Sequence, residues 1–232
     1  MDDSQVWVQQ MTEAMPRMLR RVSDGQGRSR QRDVGMSELG GHCDRQLALK
    51  LLQLDAVNHG PKLAALRGTG LHTVLEEAMR GDPRWLVEAS VAYGGIRGHV
   101  DLFDLRTGTV WDHKLMPKAK IKRLVEHGPS RAHRWQLHLY GAGLLAAGHT
   151  VNRVGLLAWP LDGHDEDSRA WGEPFDVNVA DEALEHHDRV ARAVADGGPR
   201  SVPMLAGPLC RWCPFWVRGS DDTDTTCGGT PQ

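Results

Sequence analysis

The strongest constraint on the fold of this chain is a change of hydrophobic period near its middle. Residues 62–79 carry apolar side chains at helical spacing. Three short segments rich in β-branched or aromatic residues then follow: 85–91, 96–104 and 109–114. The turn formers Gly94-Gly95 and Thr107-Gly108 separate these segments. The sequence therefore predicts three consecutive antiparallel strands after a helix.

Helical patterns on both sides of the strands predict an α/β domain. Apolar spacing indicates further helices over 5–22, 45–54, 129–147 and 180–195, and a fourth strand over 151–159. A chain of 232 residues is long enough for one well-buried domain. We expect a single domain, 1–232, with a mixed sheet flanked by helices. Its parts would be an N-terminal helical part with the first cysteine (1–60), a catalytic core (61–160) and a cysteine-rich tail (199–232).

The bulk properties argue against a membrane protein. No apolar run approaches the roughly 20 residues that span a bilayer. The N-terminus, residues 1–4, is acidic and polar and does not resemble a signal peptide. We expect a soluble cytoplasmic protein of a bacterial or phage-infected cell, without a membrane partner.

The basic residues are clustered, although the net charge is −2. One cluster holds Lys114, Lys118, Lys120, Lys122 and Arg123, and another holds Arg28, Arg30 and Arg32. Such local clusters can bind phosphate in a nearly neutral protein. A solvated basic loop is the alternative, and charge alone does not separate the two interpretations.

Two aspartates on the second predicted hairpin are candidates for chemistry. If Asp104 faces Thr109 across the turn, counting back along both strands puts Asp101 opposite Asp112. Directly opposed side chains have Cβ atoms roughly 5 Å apart, so two carboxylates there would repel each other. A divalent cation with hard oxygen ligands, Mg²⁺ or Mn²⁺, is the natural partner. Lys114 lies on the same face as Asp112, where it could orient an attacking water.

The sequence around this pair resembles a known family, whereas an Asp-x-Lys tripeptide alone is more often an ion pair on a solvated hairpin. Residues 98–101 (Gly-His-Val-Asp) and 111–114 (Trp-Asp-His-Lys) resemble the metal-binding core of PD-(D/E)XK nucleases, in particular their RecB-like branch. Residues 68–72 (Gly-Thr-Gly-Leu-His) resemble that branch's helical motif with a metal-site histidine. Residues 136–140 (Gln-Leu-His-Leu-Tyr) match its Gln-x-x-x-Tyr motif.

This resemblance covers about residues 37–230 and implies a metal-dependent DNA exonuclease, with single-stranded DNA favoured by family precedent. It implies the catalytic set His72, Asp101, Asp112 and Lys114. His72, the two aspartates and the backbone carbonyl of His113 would bind Mg²⁺ or Mn²⁺, and Lys114 would position the water. Gln136 and Tyr140 would orient the DNA. The residues that would follow its backbone are Lys118, Lys120, Lys122 and Arg123.

The chain has four cysteines: Cys43, Cys210, Cys213 and Cys227. A zinc ribbon usually has two Cys-x-x-Cys knuckles, whereas this chain has one, and four thiolates suffice for an iron–sulfur cluster. One early and three late cysteines resemble the iron–sulfur RecB-like nucleases, which include the exonuclease of CRISPR adaptation and the AddB-type nuclease domain. The resemblance implies a structural 4Fe–4S cluster that joins the tail to the N-terminal helices, with Zn²⁺ as the alternative.

Other interpretations stay open. The chain could be a DNA- or protein-binding module that keeps a nuclease fold without cutting, or a zinc-stabilised interaction domain. Glu76, Glu77 and Glu88 are further carboxylates, interpreted as structural or solvated because no spacing ties them to the aspartate pair. The pathway is open among recombination, repair and CRISPR adaptation, each of which would supply a separate protein partner.

Overall fold

The structure is a computed structural model that describes residues 3–24, 33–58 and 62–229. Six α-helices occupy these ranges: α1 (Asp3–Asp24), α2 (Asp44–Leu51), α3 (Leu63–Met79), α4 (Lys118–His127), α5 (Arg131–Ala146) and α6 (Val177–Gly197). The same ranges hold five strands: β1 (Trp85–Tyr93), β2 (Ile96–Asp104), β3 (Thr109–Met116), β4 (Arg153–Pro160) and β5 (Arg169–Pro174). The predicted basic run of Arg28, Arg30 and Arg32 lies outside the described residues and stays a prediction.

The strands form one mixed sheet in the order β1-β2-β3-β4-β5. Only β3 and β4 are parallel, and the other neighbours are antiparallel. A parallel pair needs a crossover connection, and α4 and α5 provide it between β3 and β4. The predicted α/β class and mixed sheet are confirmed.

Helix α5 forms the centre of the core. All residues from 135 to 144 are buried, because one side of the helix contacts the sheet and the other contacts α6. Gly143 permits a close approach to β1: a Cβ at this position would lie 2.8 Å from Cβ of Val91. None of the helices in the described ranges is both long and apolar enough to span a bilayer.

The C-terminal tail folds back onto α2. Arg45 is buried, and its guanidinium donates hydrogen bonds to the carbonyls of Val202 (3.0 Å), Arg200 (3.2 Å) and Thr223 (3.3 Å). A second small core packs beside this contact, with Leu49 of α2 against three tail residues: Cys213, Phe215 and Cys227. A buried charge bound by three carbonyls thus joins α2 to the C-terminal tail.

Candidate active site

The two predicted aspartates face each other where β2 and β3 begin to separate. The pairing of these strands starts at Asp104↔Thr109 and runs back to Leu102. The next position places Asp101 opposite Asp112, so the register predicted from the hairpin is confirmed. Both side chains are buried, at 4% and 1% exposure. Two carboxylates are thereby held side by side with little access to water.

Asp112 receives hydrogen bonds from two other predicted site residues. The ammonium of Lys114 lies 2.8 Å from Oδ2 and donates to Oδ1 at 3.1 Å. Nε2 of Gln136 donates to Oδ1 at 2.9 Å and also lies 2.8 Å from the hydroxyl of Tyr140. Burial raises the pKa of Asp112 to about 6, the charge of Asp101 adds to this rise, and Lys114 opposes it. The metal-free site therefore disfavours the charged form of this carboxylate.

His72 of α3 completes the other side of the pair. Its Nε2 lies 2.9 Å from the carbonyl oxygen of His113, and its Nδ1 lies 3.4 Å from Oδ2 of Asp101. The same Oδ2 accepts a hydrogen bond of 2.8 Å from the backbone N–H of His113. Burial alone would raise the pKa of Asp101, but His72 and this N–H outweigh it and lower the pKa.

The donor set fits the predicted cation. Carboxylates, an imidazole and a backbone carbonyl are ligands that Mg²⁺ and Mn²⁺ accept. His72 Nε2 and the His113 carbonyl are 2.9 Å apart, close to the roughly 3 Å expected between adjacent ligands at bonds of about 2.1 Å. Oδ2 of Asp112 is buried, and the Lys114 ammonium, 2.8 Å away, is its charged neighbour. A carboxylate oxygen can accept more than one contact, so it has capacity left for a metal ion.

Glu88 of β1 is a further member that the sequence interpretation missed. The pairs of β1 with β2 on either side of Glu88 place it opposite Asp101. Glu88, His72 and Asp101 each offer a ligand atom, and these atoms all lie within 4.8 Å of one another. The register therefore connects Glu88 with Asp101, whereas its interpretation as structural or solvated stays a prediction. Counting residues back from the β1–β2 turn pairs Glu88 with Asp101, just as the same count on the next hairpin pairs Asp101 with Asp112. Glu76 and Glu77 do not belong to this group.

The backbone at Glu88 is unusual. Its φ is +51°, in the left-handed region that a side chain with a Cβ rarely adopts. Such a conformation costs about 1–3 kcal/mol and is concentrated at functional sites. The distortion interrupts the regular pairing of β1 with β2 at this residue, whereas the pairs before and after it are regular.

These residues lie in a cleft of about 750 Å³, within the range of roughly 300–1,000 Å³ typical of ligand sites. Its other lining residues include Lys50, Arg97 and His99. Gly98 at the floor has no room for a side chain, because a Cβ there would lie 2.7 Å from Cε1 of Tyr140. The glycine of the Gly-His-Val-Asp segment thus lets the Tyr140 ring pack directly on β2.

Comparison with known proteins identifies the family. Residues 6–218 match the model of the PD-(D/E)XK nuclease superfamily. This chain belongs to that superfamily. No curated protein matches it in sequence.

Solved structures share the fold of this PD-(D/E)XK protein. The crystal structure of SSO0001 has a TM-score of 0.50 at 16% identity, covering 88% of this chain and 94% of the other. An alkaline exonuclease from Laribacter hongkongensis, LHK-Exo, has a TM-score of 0.53 at 12% identity, covering 73% and 91%. Its complex with dAMP has a TM-score of 0.52 at 14% identity, covering 72% and 90%. At these identities the likeness shows the fold alone.

The residues predicted to contact DNA lie in two separate places in this PD-(D/E)XK domain. Gln136 and Tyr140 line the cleft, but both are buried. The basic residues lie exposed on α4, a helix that the sequence interpretation left out: Lys118, Lys120, Lys122 and Arg123. Lys118 is paired with Asp167 at 2.9 Å. Burial, together with the charges of Lys114 and Lys120, lowers the pKa of His133 to about 4.

The four cysteines converge at the junction of the tail and α2. All are buried and none forms a disulfide. Burial raises the pKa of the Cys213 thiol to about 11, and the charges of the other three cysteines add to this rise. The sulfur of Cys43 accepts a hydrogen bond from the backbone N–H of Leu205, and that of Cys210 accepts one from Gly207. Within the described chain, no three of these sulfurs lie within 4.8 Å of one another.

Proposed function

We propose that this chain is a metal-dependent deoxyribonuclease that hydrolyses phosphodiester bonds. The observation that carries the proposal is the buried, opposed pair of Asp101 and Asp112, with Lys114 hydrogen-bonded to Asp112. Membership of the PD-(D/E)XK nuclease superfamily supports it. A binding module without activity would have no need of two buried, mutually repelling carboxylates.

In this proposal each residue has a separate role. Asp101, Asp112, His72 and the carbonyl of His113 would hold Mg²⁺ or Mn²⁺. When bound, the ion would neutralise phosphate charge and lower the pKa of a water. Lys114, fixed by Asp112, would orient the attacking water and stabilise negative charge that develops on the phosphate.

We further propose exonucleolytic cleavage of single-stranded DNA. The similar fold of an alkaline exonuclease supports the exonuclease mode, and the cleft is lined by cationic residues that could hold a DNA strand. Gln136 and Tyr140 would act beside the reacting phosphate, and the exposed basic face of α4 would follow the backbone through Lys118, Lys120, Lys122 and Arg123. The protein would act in the cytoplasm with a separate recombination, repair or CRISPR-adaptation partner.

We also propose that the cysteines hold a 4Fe–4S cluster rather than zinc. Tetrahedral zinc with Zn–S bonds of about 2.3 Å would bring all four sulfurs to roughly 3.8 Å from one another. The sulfurs of Cys43, Cys210, Cys213 and Cys227 are buried together but are more widely spread than that. A cube of four irons and four sulfides accommodates wider spacing. Iron and acid-labile sulfide in the purified protein, lost in Cys213→Ser, would support the cluster, whereas stoichiometric zinc would contradict it.

The nuclease proposal is tested with end-labelled single-stranded DNA and Mn²⁺. Wild-type protein should shorten the labelled strand progressively, and Asp112→Asn should not. Asp165→Asn, which makes the same change on an exposed turn, should cleave like wild type. DNA binding without cleavage by wild-type protein would favour the non-cleaving module. Equal cleavage by wild type and Asp112→Asn would show that the site is misassigned.

A further inference from the structure

We infer that Trp159 is a positioning residue for the proposed metal site, and that it acts through the ring of His113. This inference rests on the metal dependence proposed above. It brings in a residue of β4, a strand that none of the segments resembling the nuclease motifs includes.

The first argument is that the backbone of His113 contacts other proposed ligands. The pairing of β2 with β3 ends at Leu102↔Trp111, so the backbone of His113 meets side chains on that side instead of a strand. Its N–H donates a hydrogen bond of 2.8 Å to Oδ2 of Asp101, and its carbonyl oxygen lies 2.9 Å from Nε2 of His72. Three proposed ligands, including this carbonyl, therefore depend on where His113 is held.

The second argument is the position of the His113 side chain. Successive side chains of a strand point to opposite faces of the sheet, so His113 and Asp112 lie on opposite faces. The register of β3 with β4 puts His113 beside Leu157 and Leu115 beside Trp159. His113 and Trp159 are therefore diagonal neighbours on one face, and His113 is buried there.

The third argument is a row of three rings behind the site. The rings of His72 and His113 meet edge to face, with centroids 5.7 Å apart and an angle of 79° between their planes. The ring of Trp159 lies on the other side, with its centroid 6.0 Å from that of His113. Both distances are within the roughly 4.5–7 Å of ring pairs in contact. A displacement of Trp159 would thus reach the imidazole of His72 through His113.

The fourth argument is the hydrogen bond that fixes the middle ring. Nε1 of Trp159 donates to Nδ1 of His113 at 3.1 Å. An indole N–H can only donate, so Nδ1 must accept, and the proton of the neutral imidazole lies on Nε2. This one bond therefore sets both the orientation and the tautomer of the His113 ring. Residues that orient a metal ligand without binding the ion typically contribute about 10–100-fold to metal affinity.

The test combines two measurements on the full chain. Electron paramagnetic resonance of free Mn²⁺ gives the affinity, and ¹⁵N nuclear magnetic resonance of the metal-free protein gives the tautomer of His113. Trp159→Phe keeps an aromatic ring and removes the N–H. It should bind Mn²⁺ about 10-fold more weakly than wild type, and its His113 should populate both tautomers. Trp171→Phe, the same change on β5, should match wild type in both measurements.

A double variant separates positioning from a general loss of structure. If Trp159 acts through His113, adding Trp159→Phe to His113→Phe should weaken Mn²⁺ binding by less than about twofold. His113→Phe alone keeps the backbone carbonyl and should weaken binding by about 10-fold, which tests the inference even if Trp159→Phe does not fold.

Three results would overturn the inference: wild-type affinity in either single variant, additive losses in the double variant, or an unchanged His113 tautomer in Trp159→Phe. Absence of any Mn²⁺ binding by wild type would instead overturn the metal dependence on which the inference rests.

Discussion

Gln136 of α5 donates a hydrogen bond of 2.9 Å from Nε2 to Oδ1 of Asp112, and it does so from a buried position. The glutamine of the Gln-x-x-x-Tyr segment therefore contacts the proposed metal site directly. The expectation that Gln136 orients DNA stays a prediction. The hydrogen bond to Asp112 indicates a second role for Gln136, which is to hold that carboxylate in place. The two roles predict different changes in kcat and KM.

Gln136→Leu tests which of these roles dominates. If Gln136 fixes Asp112, the variant should lose about 10–100-fold in kcat with little change in KM, because indirect ligand partners have effects of this size. Tyr140→Phe, which removes the hydroxyl that accepts the second Gln136 bond, should lose less. The measurement is the rate of DNA cleavage over a range of substrate concentrations. An increase in KM with kcat unchanged would assign Gln136 to DNA binding instead.

Stability of the metal-free protein should depend on Asp112 and on pH. The pKa of Asp112 is raised to about 6 in the folded chain, above the value of about 3.9 for an unfolded chain. Between these two pH values the folded state therefore binds one more proton than the unfolded state. The free energy of unfolding should rise as the pH falls from about 7 to 4, and this gain should be lost as the pH rises through 6. The gain should be about 3 kcal/mol, from about two pKa units at about 1.4 kcal/mol each, as judged by urea unfolding.

Two comparisons isolate this effect. Asp112→Asn should be more stable than wild type at neutral pH without metal and should lose the pH-dependent part, although it is inactive. Saturating Mn²⁺ should stabilise wild type at neutral pH, because the ion binds the charged form. A metal-free wild type whose stability follows the same pH profile as Asp112→Asn would contradict the assignment.

The sequence predicted the Asp101–Asp112 register correctly because a short hairpin turn fixes the pairing of both strands, and the period of two then places Lys114 on the same face. The same counting applied to the first hairpin identifies Glu88. No pattern, however, predicts the positive φ at Glu88, because the conformation is imposed by the surrounding sheet rather than by local preference.

Two elements escaped prediction for different reasons. Strand β5 begins with two exposed residues, then alternates between half-buried and exposed ones, and it has no fully buried residue, because an edge strand pairs through its backbone and exposes much of its side-chain surface. It therefore lacks the apolar signal of a strand. Helix α4 was not predicted because its lysines leave few apolar residues to show a helical period, although the buried Ile121 and Leu124 are at helical spacing. The approach of Cys43 to the tail spans most of the chain, and local pattern carries no information about it.

Gly98→Ala should damage both stability and activity. The added methyl group would lie 2.7 Å from Tyr140 and 2.8 Å from the sulfur of Met36. Met36 can move, but the Tyr140 ring is held by its neighbours, so the strain should lower the free energy of unfolding by about 1–3 kcal/mol. Gly70→Ala is the matched control: it lies in α3 with nothing within 4 Å of the new methyl group and should stabilise by about 0.5–1 kcal/mol. Thermal unfolding of both variants measures the difference, and a stable, fully active Gly98→Ala would show that the ring can shift freely.

Arg45→Met should release the tail from α2. Methionine preserves much of the apolar stem but leaves the carbonyls of Val202, Arg200 and Thr223 without their donor. Because Arg45 is buried, the variant should lose about 2–4 kcal/mol of unfolding free energy and become sensitive to proteases within residues 199–229. Arg211→Met, at an exposed position in the same tail, should change neither property.

If the cysteines hold a cluster, Arg45→Met should also lose iron faster in the presence of a chelator, since the tail carries three of the four thiols. Retention of protease resistance and iron in Arg45→Met would mean that the small core around Leu49 and Phe215 holds the tail without the arginine.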